Sequence, residues 1–213
     1  ARMHKGIDYL CNDDGDGLAR KVFALANRAM LMQMVHQTYE KCELGESKVE
    51  TPDYFSEQFN TLRWRPFQLG FQLLSIESVL NPDSEDRDIV DLIWFPTGGG
   101  KTEAYLVLAA MEIFHRRLKL GEKGFGTAVM TRYTLRLLAN QQFERASRLI
   151  CACEVIRDDL PELGREPITI GLWVGGAASP NKYTVPEYGT GSLEKHDKAF
   201  DAKQSLFASF RSL

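Results

Sequence analysis

The 213 residues carry a net charge of −3, and 44% of them are apolar. That balance permits a buried core but excludes a basic coat for nucleic acid, so any contact with a polyanion has to be a local patch. No uncharged apolar run approaches the roughly 18 residues that a membrane span needs. The start, Ala1-Arg2-Met3-His4-Lys5, leads into a polar, acidic segment without the apolar stretch of a signal peptide, so a cytoplasmic protein is expected.

Residues 1–17 read as a connector. Asn12, Asp14, Asp16 and Gly17 match the first half of an EF-hand loop, but the closing position is Phe23 where a bidentate Glu is needed. An acidic turn before a helix is the better reading. Residues 18–44 predict one long helix, because Val22, Leu25, Ala29, Met32 and Val35 recur at spacings of three or four. The four cysteines, Cys11, Cys42, Cys151 and Cys153, form no C-x-x-C pair and have no histidine at ligand spacing, so reduced thiols are expected. Residues 45–63 are polar and read as a loop.

A second helix is expected to begin near Pro66, with Leu69, Leu73, Ile76 and Leu80 on one side and Asn81-Pro82 at its end. Phe67 and Gln68 lie in it, 33 positions before Lys101. A glutamine amide offers a donor and an acceptor together, which suits the edge of adenine, and an aromatic ring nearby can stack on the base. The chain then runs through an acidic loop into Ile89–Phe95, a short β-branched and aromatic run that predicts a buried strand.

The strand feeds Pro96-Thr97-Gly98-Gly99-Gly100-Lys101-Thr102-Glu103, and these feed an amphipathic helix. This order is what a phosphate cradle requires. Three glycines let successive amide N–H groups turn into one concavity. Lys101 supplies charge for the β- and γ-phosphates, Thr102 a hydroxyl for Mg²⁺, and the helix start its positive dipole end. The early glycine of the general P-loop pattern is replaced by Phe95. The candidate ATP site is therefore Phe67, Gln68 and Pro96 through Glu103, with Lys101 and Thr102 in the chemical roles and Thr102 on the metal.

Thr102 to Leu118 is expected to be helical, with Tyr105, Leu108, Ala109 and Ile113 buried and Leu106 a further candidate for that side. Thr127–Arg132 predicts a second strand, and a long helix follows with Leu135, Leu138, Phe143, Ala146, Ile150, Cys153 and Ile156 along one side. Ile168–Val174 predicts a third strand, ending in Gly175-Gly176. Arg145, Arg148, Arg157 and Arg165 are interleaved with acids and read as a salt-bridged solvent face. Thr131, Arg132 and Arg136 lie where strand hands over to helix. The strand, Thr-Arg and Leu-rich helix resemble helicase motif Ia, and a Gly-Gly after the next strand is another helicase feature. The resemblance assigns these three, with Gly175 and Gly176, to a bound nucleic-acid strand, for which arginine's forked geometry suits phosphate.

Alternating strands and helices imply an α/β fold with a RecA-like P-loop parallel sheet flanked by helices, preceded by a helical N-terminal segment. The expected divisions are 1–61, 62–182 and 183–213, the last a loop and charged tail. Pro-Thr-Gly-Gly-Gly-Lys-Thr resembles the first motif of superfamily 2 helicases, the Arg65–Gln68 segment their Q-motif, and Thr131–Arg136 their motif Ia. The phrases Trp94–Leu106, Arg132–Leu138 and Asn27–Leu31 further resemble the large helicase subunit family of DISARM-type anti-phage defence systems. That resemblance covers about residues 20–182. It implies an ATP- and Mg²⁺-dependent DNA helicase or translocase that works with a companion defence subunit.

One departure stands out. No Asp-Glu-x-Asp or Asp-Glu-x-His follows an apolar run after the phosphate loop, and that motif holds Mg²⁺ and positions the attacking water. The expectation is a piece of a larger protein that binds nucleotide without hydrolysing it well. Two other readings stay open: a nucleotide-binding module that gates assembly without motor activity, and a small-molecule kinase. The Arg-Pro-Phe-Gln segment and the Thr-Arg handover argue against the kinase.

Overall fold

A computed structural model describes residues 1–12, 17–39, 52–94, 96, 98–133 and 136–172, the side chains of 38, 39 and 136–140 excepted. Five α-helices carry the fold: α1 (Arg2–Cys11), α2 (Leu18–Tyr39), α3 (Pro66–Leu80), α4 (Lys101–Leu120) and α5 (Arg136–Asp159). α4 is central. It packs against α2, α3 and α5, while α1 lies along α3.

The core follows from the helical spacing. Val22, Leu25, Ala29, Met32 and Val35 of α2 are all buried, as the stripe requires. Val22, Leu25, Ala29 and Met32 share one apolar cluster with Ile76 and Leu80 of α3, Phe114 and Met111 of α4, and Ile150, Cys153 and Ile156 of α5. On α4 Leu106 and Ile113 are buried as expected, together with Ala104, Val107, Ala110, Met111 and Phe114, whereas Tyr105, Leu108 and Ala109 are only half-buried.

The connector expected over 1–17 is instead helical through Cys11. Gly6 reads locally as a breaker, but its role is steric. A Cβ there would meet the Leu73 carbonyl oxygen of α3 at 1.8 Å, so only glycine allows the two helices to close. Arg2 fixes the same helix to the acidic loop, with two guanidinium N–H groups donating to the Asp91 carboxylate at 2.6 and 2.9 Å.

The RecA-like parallel sheet is not present among the described residues. The three segments read as strands, 89–95, 127–132 and 168–174, are irregular where they are described (residues 95, 173 and 174 lie outside), and no described backbone hydrogen bond joins them to one another. A sheet exists only through such bonds. Side chains instead hold the start of the last segment and the turn that precedes the second. Arg116 donates to the carbonyls of Gly124 and Phe125, Arg117 to those of Glu166 and Pro167, and the Ile168 N–H donates to the Glu154 carboxylate. In the first segment the apolar side chains point to solvent: Val90, Leu92 and Trp94 are 94%, 81% and 86% exposed. A short apolar run does not distinguish a buried strand from an exposed irregular stretch by periodicity alone, and that ambiguity produced the α/β expectation.

The arginine face expected on α5 is also corrected. Arg157 is ion-paired as expected, but within the core and not at a solvent face. Its Nε and one terminal nitrogen donate to the two Glu154 oxygens at 2.7 and 2.8 Å, and both residues are buried. Arg117, lying beside Arg157, is held below the usual guanidinium range by burial and by that neighbouring charge.

Candidate phosphate-binding site

The glycine-rich turn meets the starts of α3 and α4. Gly98 and Gly100 take φ of +80° and +88°, left-handed backbone that favours glycine, and Gly100 caps the start of α4. Glu103 sits in the first turn of α4, and Arg117 and Lys119 in its last, so both ends match the helix dipole.

The α3 start grips this turn. Pro66 opens the helix, and Gln68 at its third position reaches back, its Oε1 accepting from the Arg65 N–H at 2.8 Å. The Gln68 Nε2 then donates to the Gly100 carbonyl at 2.8 Å, and an Arg65 terminal nitrogen donates to the Gly99 carbonyl at 2.7 Å. Gln68 is 4% exposed. A glutamine amide retains one N–H and one lone pair after two such bonds, but here the side chain chiefly ties helix to loop. Phe67 beside it is half-buried.

Lys101 follows the turn, its Nζ 3.5 Å from the Pro96 carbonyl. Thr102 is buried, and its hydroxyl donates to Gln142 Oε1 of α5 at 3.1 Å. Tyr105 reaches the same Oε1 at 3.1 Å and meets the Tyr133 hydroxyl at 3.0 Å. Burial, then the bond to Tyr105, pushes the Tyr133 phenol upward. Glu103 is ion-paired with Arg145 of α5.

Between these elements lies a cavity of about 720 Å³, lined by Arg63, Arg65, Gln68, Gly98, Gly100, Lys101, Thr102, Tyr105, Tyr133, Gln142 and Arg145, among others. Six of the residues named from sequence for the nucleotide, Gln68, Gly98, Gly100, Lys101, Thr102 and Glu103, line one cavity. Sequence reasoning left out Arg63 and Arg65. The signal was there, two arginines flanking Trp64 immediately before a helix start, but only the aromatic and amide were credited. It also left out Gln142 as a neighbour of Thr102, since 40 positions separate them and only the packing of α5 on α4 joins them.

Of the nucleic-acid assignment, Thr131 and Arg132 are exposed on the segment next to Tyr133. The Arg136 backbone opens α5. Its side chain, Thr97, Gly175, Gly176 and the 183–213 tail lie outside the described residues. Among the described residues no group of three or more His, Cys, Asp or Glu is placed to hold a metal ion, and no helix is long and apolar enough to cross a membrane. The free cysteines among them are Cys11, exposed, and Cys151 and Cys153, buried; burial holds the Cys151 thiol up at about 11.

No family model matches the chain. Over 186 residues, 85% of its length, it is 40% identical to DISARM protein DrmA of Bacillus paralicheniformis (strain ATCC 9945a / NCIMB 11709 / CD-2), and it spans 16% of that relative. The chain is close in sequence to that protein across most of its own length.

Proposed function

From the likeness to DISARM protein DrmA and the cation-lined glycine turn, we propose that this chain is the ATP-binding part of a DNA helicase or translocase in a DISARM anti-phage system. The observation that carries the reading is the convergence of Gly98, Gly100, Lys101 and Thr102 with Arg63 and Arg65 on one cavity. Left-handed glycines shape the turn at the α4 start, where the helix dipole favours an anion, and Arg63, Arg65, Lys101 and Arg145 line the same space. A polyphosphate is the ligand whose charge and reach suit that arrangement.

The donor set also fits Mg²⁺ as a companion of the phosphates. Mg²⁺ keeps several waters and takes few protein ligands beside substrate phosphates, so one threonine hydroxyl without a carboxylate cage is compatible with it. Bound there, Mg²⁺ would neutralise charge between the β- and γ-phosphates. Lys101 would leave the Pro96 carbonyl for the phosphates, Thr102 would present its oxygen to the metal, and Arg65 would hold the loop through Gly99. DNA would lie near Thr131, Arg132 and Arg136, and a companion subunit of the system would complete the assembly.

The test is titration of the chain with a fluorescent ATP analogue, in wild type and Lys101→Ala. The expected result is Mg²⁺-supported binding that falls at least about 10-fold in the variant. In parallel, single-stranded DNA binding should weaken as salt rises and lose part of its salt slope in Arg132→Ala. Equal nucleotide affinity of wild type and Lys101→Ala overturns the nucleotide reading. Nucleotide binding with salt-independent or absent DNA binding favours a gating module over a motor.

A further inference from the structure

We propose that Gln142 is a positioning residue for the metal-bound phosphate: it takes the Thr102 hydroxyl hydrogen and so turns the oxygen's lone pairs toward the cavity. The inference rests on the nucleotide reading above and adds how the threonine is oriented.

A threonine hydroxyl has one hydrogen and two lone pairs. A hydroxyl that ligates a cation does so through a lone pair, so its hydrogen needs an acceptor elsewhere. In Thr102 that acceptor is Gln142 Oε1 at 3.1 Å. The other hydrogens in the cluster can be assigned as well. Tyr105 has one hydrogen, and its closer acceptor is Gln142 Oε1 at 3.1 Å, against 3.4 Å to Thr102 Oγ1. Tyr133 therefore donates to Tyr105 across their 3.0 Å contact. The result is a one-way arrangement in which Tyr133 donates to Tyr105, and Tyr105 and Thr102 both donate to Gln142. The amide oxygen uses both lone pairs, and both lone pairs of Thr102 remain for a cation.

The supporting framework is rigid for a reason visible in the packing. Thr102 is 9% exposed, and α5 is fixed to α4 one residue further on by the Glu103–Arg145 ion pair. Gln142 and Arg145 are three apart on α5, so they share a helix face. One clamp by charge and one by hydrogen bond hold the first turn of α4 at the cavity wall. Partners behind a metal ligand typically alter metal affinity by about 10- to 100-fold.

The experiment compares wild type, Gln142→Ala, Gln142→Met and Gln142→Glu, titrating the fluorescent ATP analogue in Mg²⁺ and again in EDTA, with urea midpoints measured alongside. The expected result is a loss of about 10- to 100-fold in the Mg²⁺ titration for Ala and Met, with EDTA affinity within about twofold of wild type. Glu keeps an acceptor oxygen at the same reach and should restore the Mg²⁺ affinity to within about threefold. Met preserves packing volume, so it reports on the acceptor even where Ala fails to fold. An equal loss with and without Mg²⁺, or no loss in either, overturns the inference alone. Wild type that binds no nucleotide, or binds it unaffected by Lys101→Ala, removes the nucleotide reading and this inference with it.

Discussion

Replacing Gln68 should cost the protein both stability and grip on nucleotide, and a residue one helical turn away provides the control. Gln68→Ala leaves the Arg65 N–H and the Gly100 carbonyl without the partners they have at 2.8 Å each. An unsatisfied buried polar group costs about 1–3 kcal/mol, less where water can reach it. Arg65 is exposed, so its N–H recovers water and contributes about 1 kcal/mol; the half-buried Gly100 carbonyl contributes about 1–2. The sum is roughly 2–3 kcal/mol. If half of it falls on loop geometry that phosphate binding requires, nucleotide affinity drops about 5- to 15-fold, since about 1.4 kcal/mol is tenfold. Gln68→Glu keeps the acceptor, loses the donor and sets a carboxylate beside the Gly100 carbonyl, so its affinity loss should be larger still.

Gln72 lies on the same face of α3, fully buried, and neither of its amide atoms finds a partner among the described residues. Gln72→Met keeps the volume and removes two unpaired polar atoms, so stability should hold or rise. Urea midpoints for the three variants and titrations with a fluorescent ATP analogue provide the comparison. The reasoning is wrong if Gln68→Ala matches wild type in both assays, or if Gln72→Met costs as much as Gln68→Ala.

His115 adds a pH dependence. Burial first, then Lys119 and Arg87, lower it to about 4 from its ordinary 6.5. Between those values the unfolded chain binds more protons than the folded one, so stability falls as pH drops from about 6.5 and the loss is complete below about 4, reaching up to about 3 kcal/mol. Nearby Glu112, raised by burial, works in the opposite sense, so the contrast to measure is wild type against His115→Gln from pH 7 to 4.5; a flatter profile for the variant is expected, and parallel profiles would refute it. Glu154→Ala removes the carboxylate that receives Arg157 and the Ile168 N–H, and breaking a buried pair from one side costs about 3–5 kcal/mol. Thermal unfolding should show that loss, and amide exchange should rise at Ile168; a shift within about 1 kcal/mol would mean that Arg157 is satisfied by Asp158 and the Gly164 carbonyl.

The helices α2, α3 and α4 were legible because their signals are local, whereas α1 was read as a connector. The α2 stripe, Pro66 at the α3 start and the glycine-to-lysine handover into α4 each need only neighbours within one or two turns. The glycine turn into α4 was legible for the same reason, since the glycines, Lys101 and Thr102 are consecutive. What the sequence hid depends on pairs far apart in the chain. Gly6 reads as a breaker until Leu73 is placed against it. Gln142 is one of two adjacent glutamines until α5 is laid on α4. The three strands failed differently, because apolarity was taken as proof of burial and of pairing, whereas Val90, Leu92 and Trp94 face solvent.

That asymmetry bears on how the site is built. Every described bond that holds the glycine turn from outside comes from α3: Arg65 to the Gly99 carbonyl and Gln68 to the Gly100 carbonyl. The first turn of α4 is tied to α5 through Gln142 and Arg145. The cavity lies where three helices meet, and among the described residues Tyr133 lines it from the 131–133 segment. A hydrogen-bonded route runs from Tyr133 through Tyr105 to Gln142 and so to Thr102. Tyr133→Phe cuts that route while leaving Thr102 its acceptor, so nucleotide affinity should stay near wild type while any effect of bound DNA on that affinity disappears. A DNA effect that survives in Tyr133→Phe would place the communication elsewhere, with the Glu103–Arg145 pair as the next connection between α4 and α5.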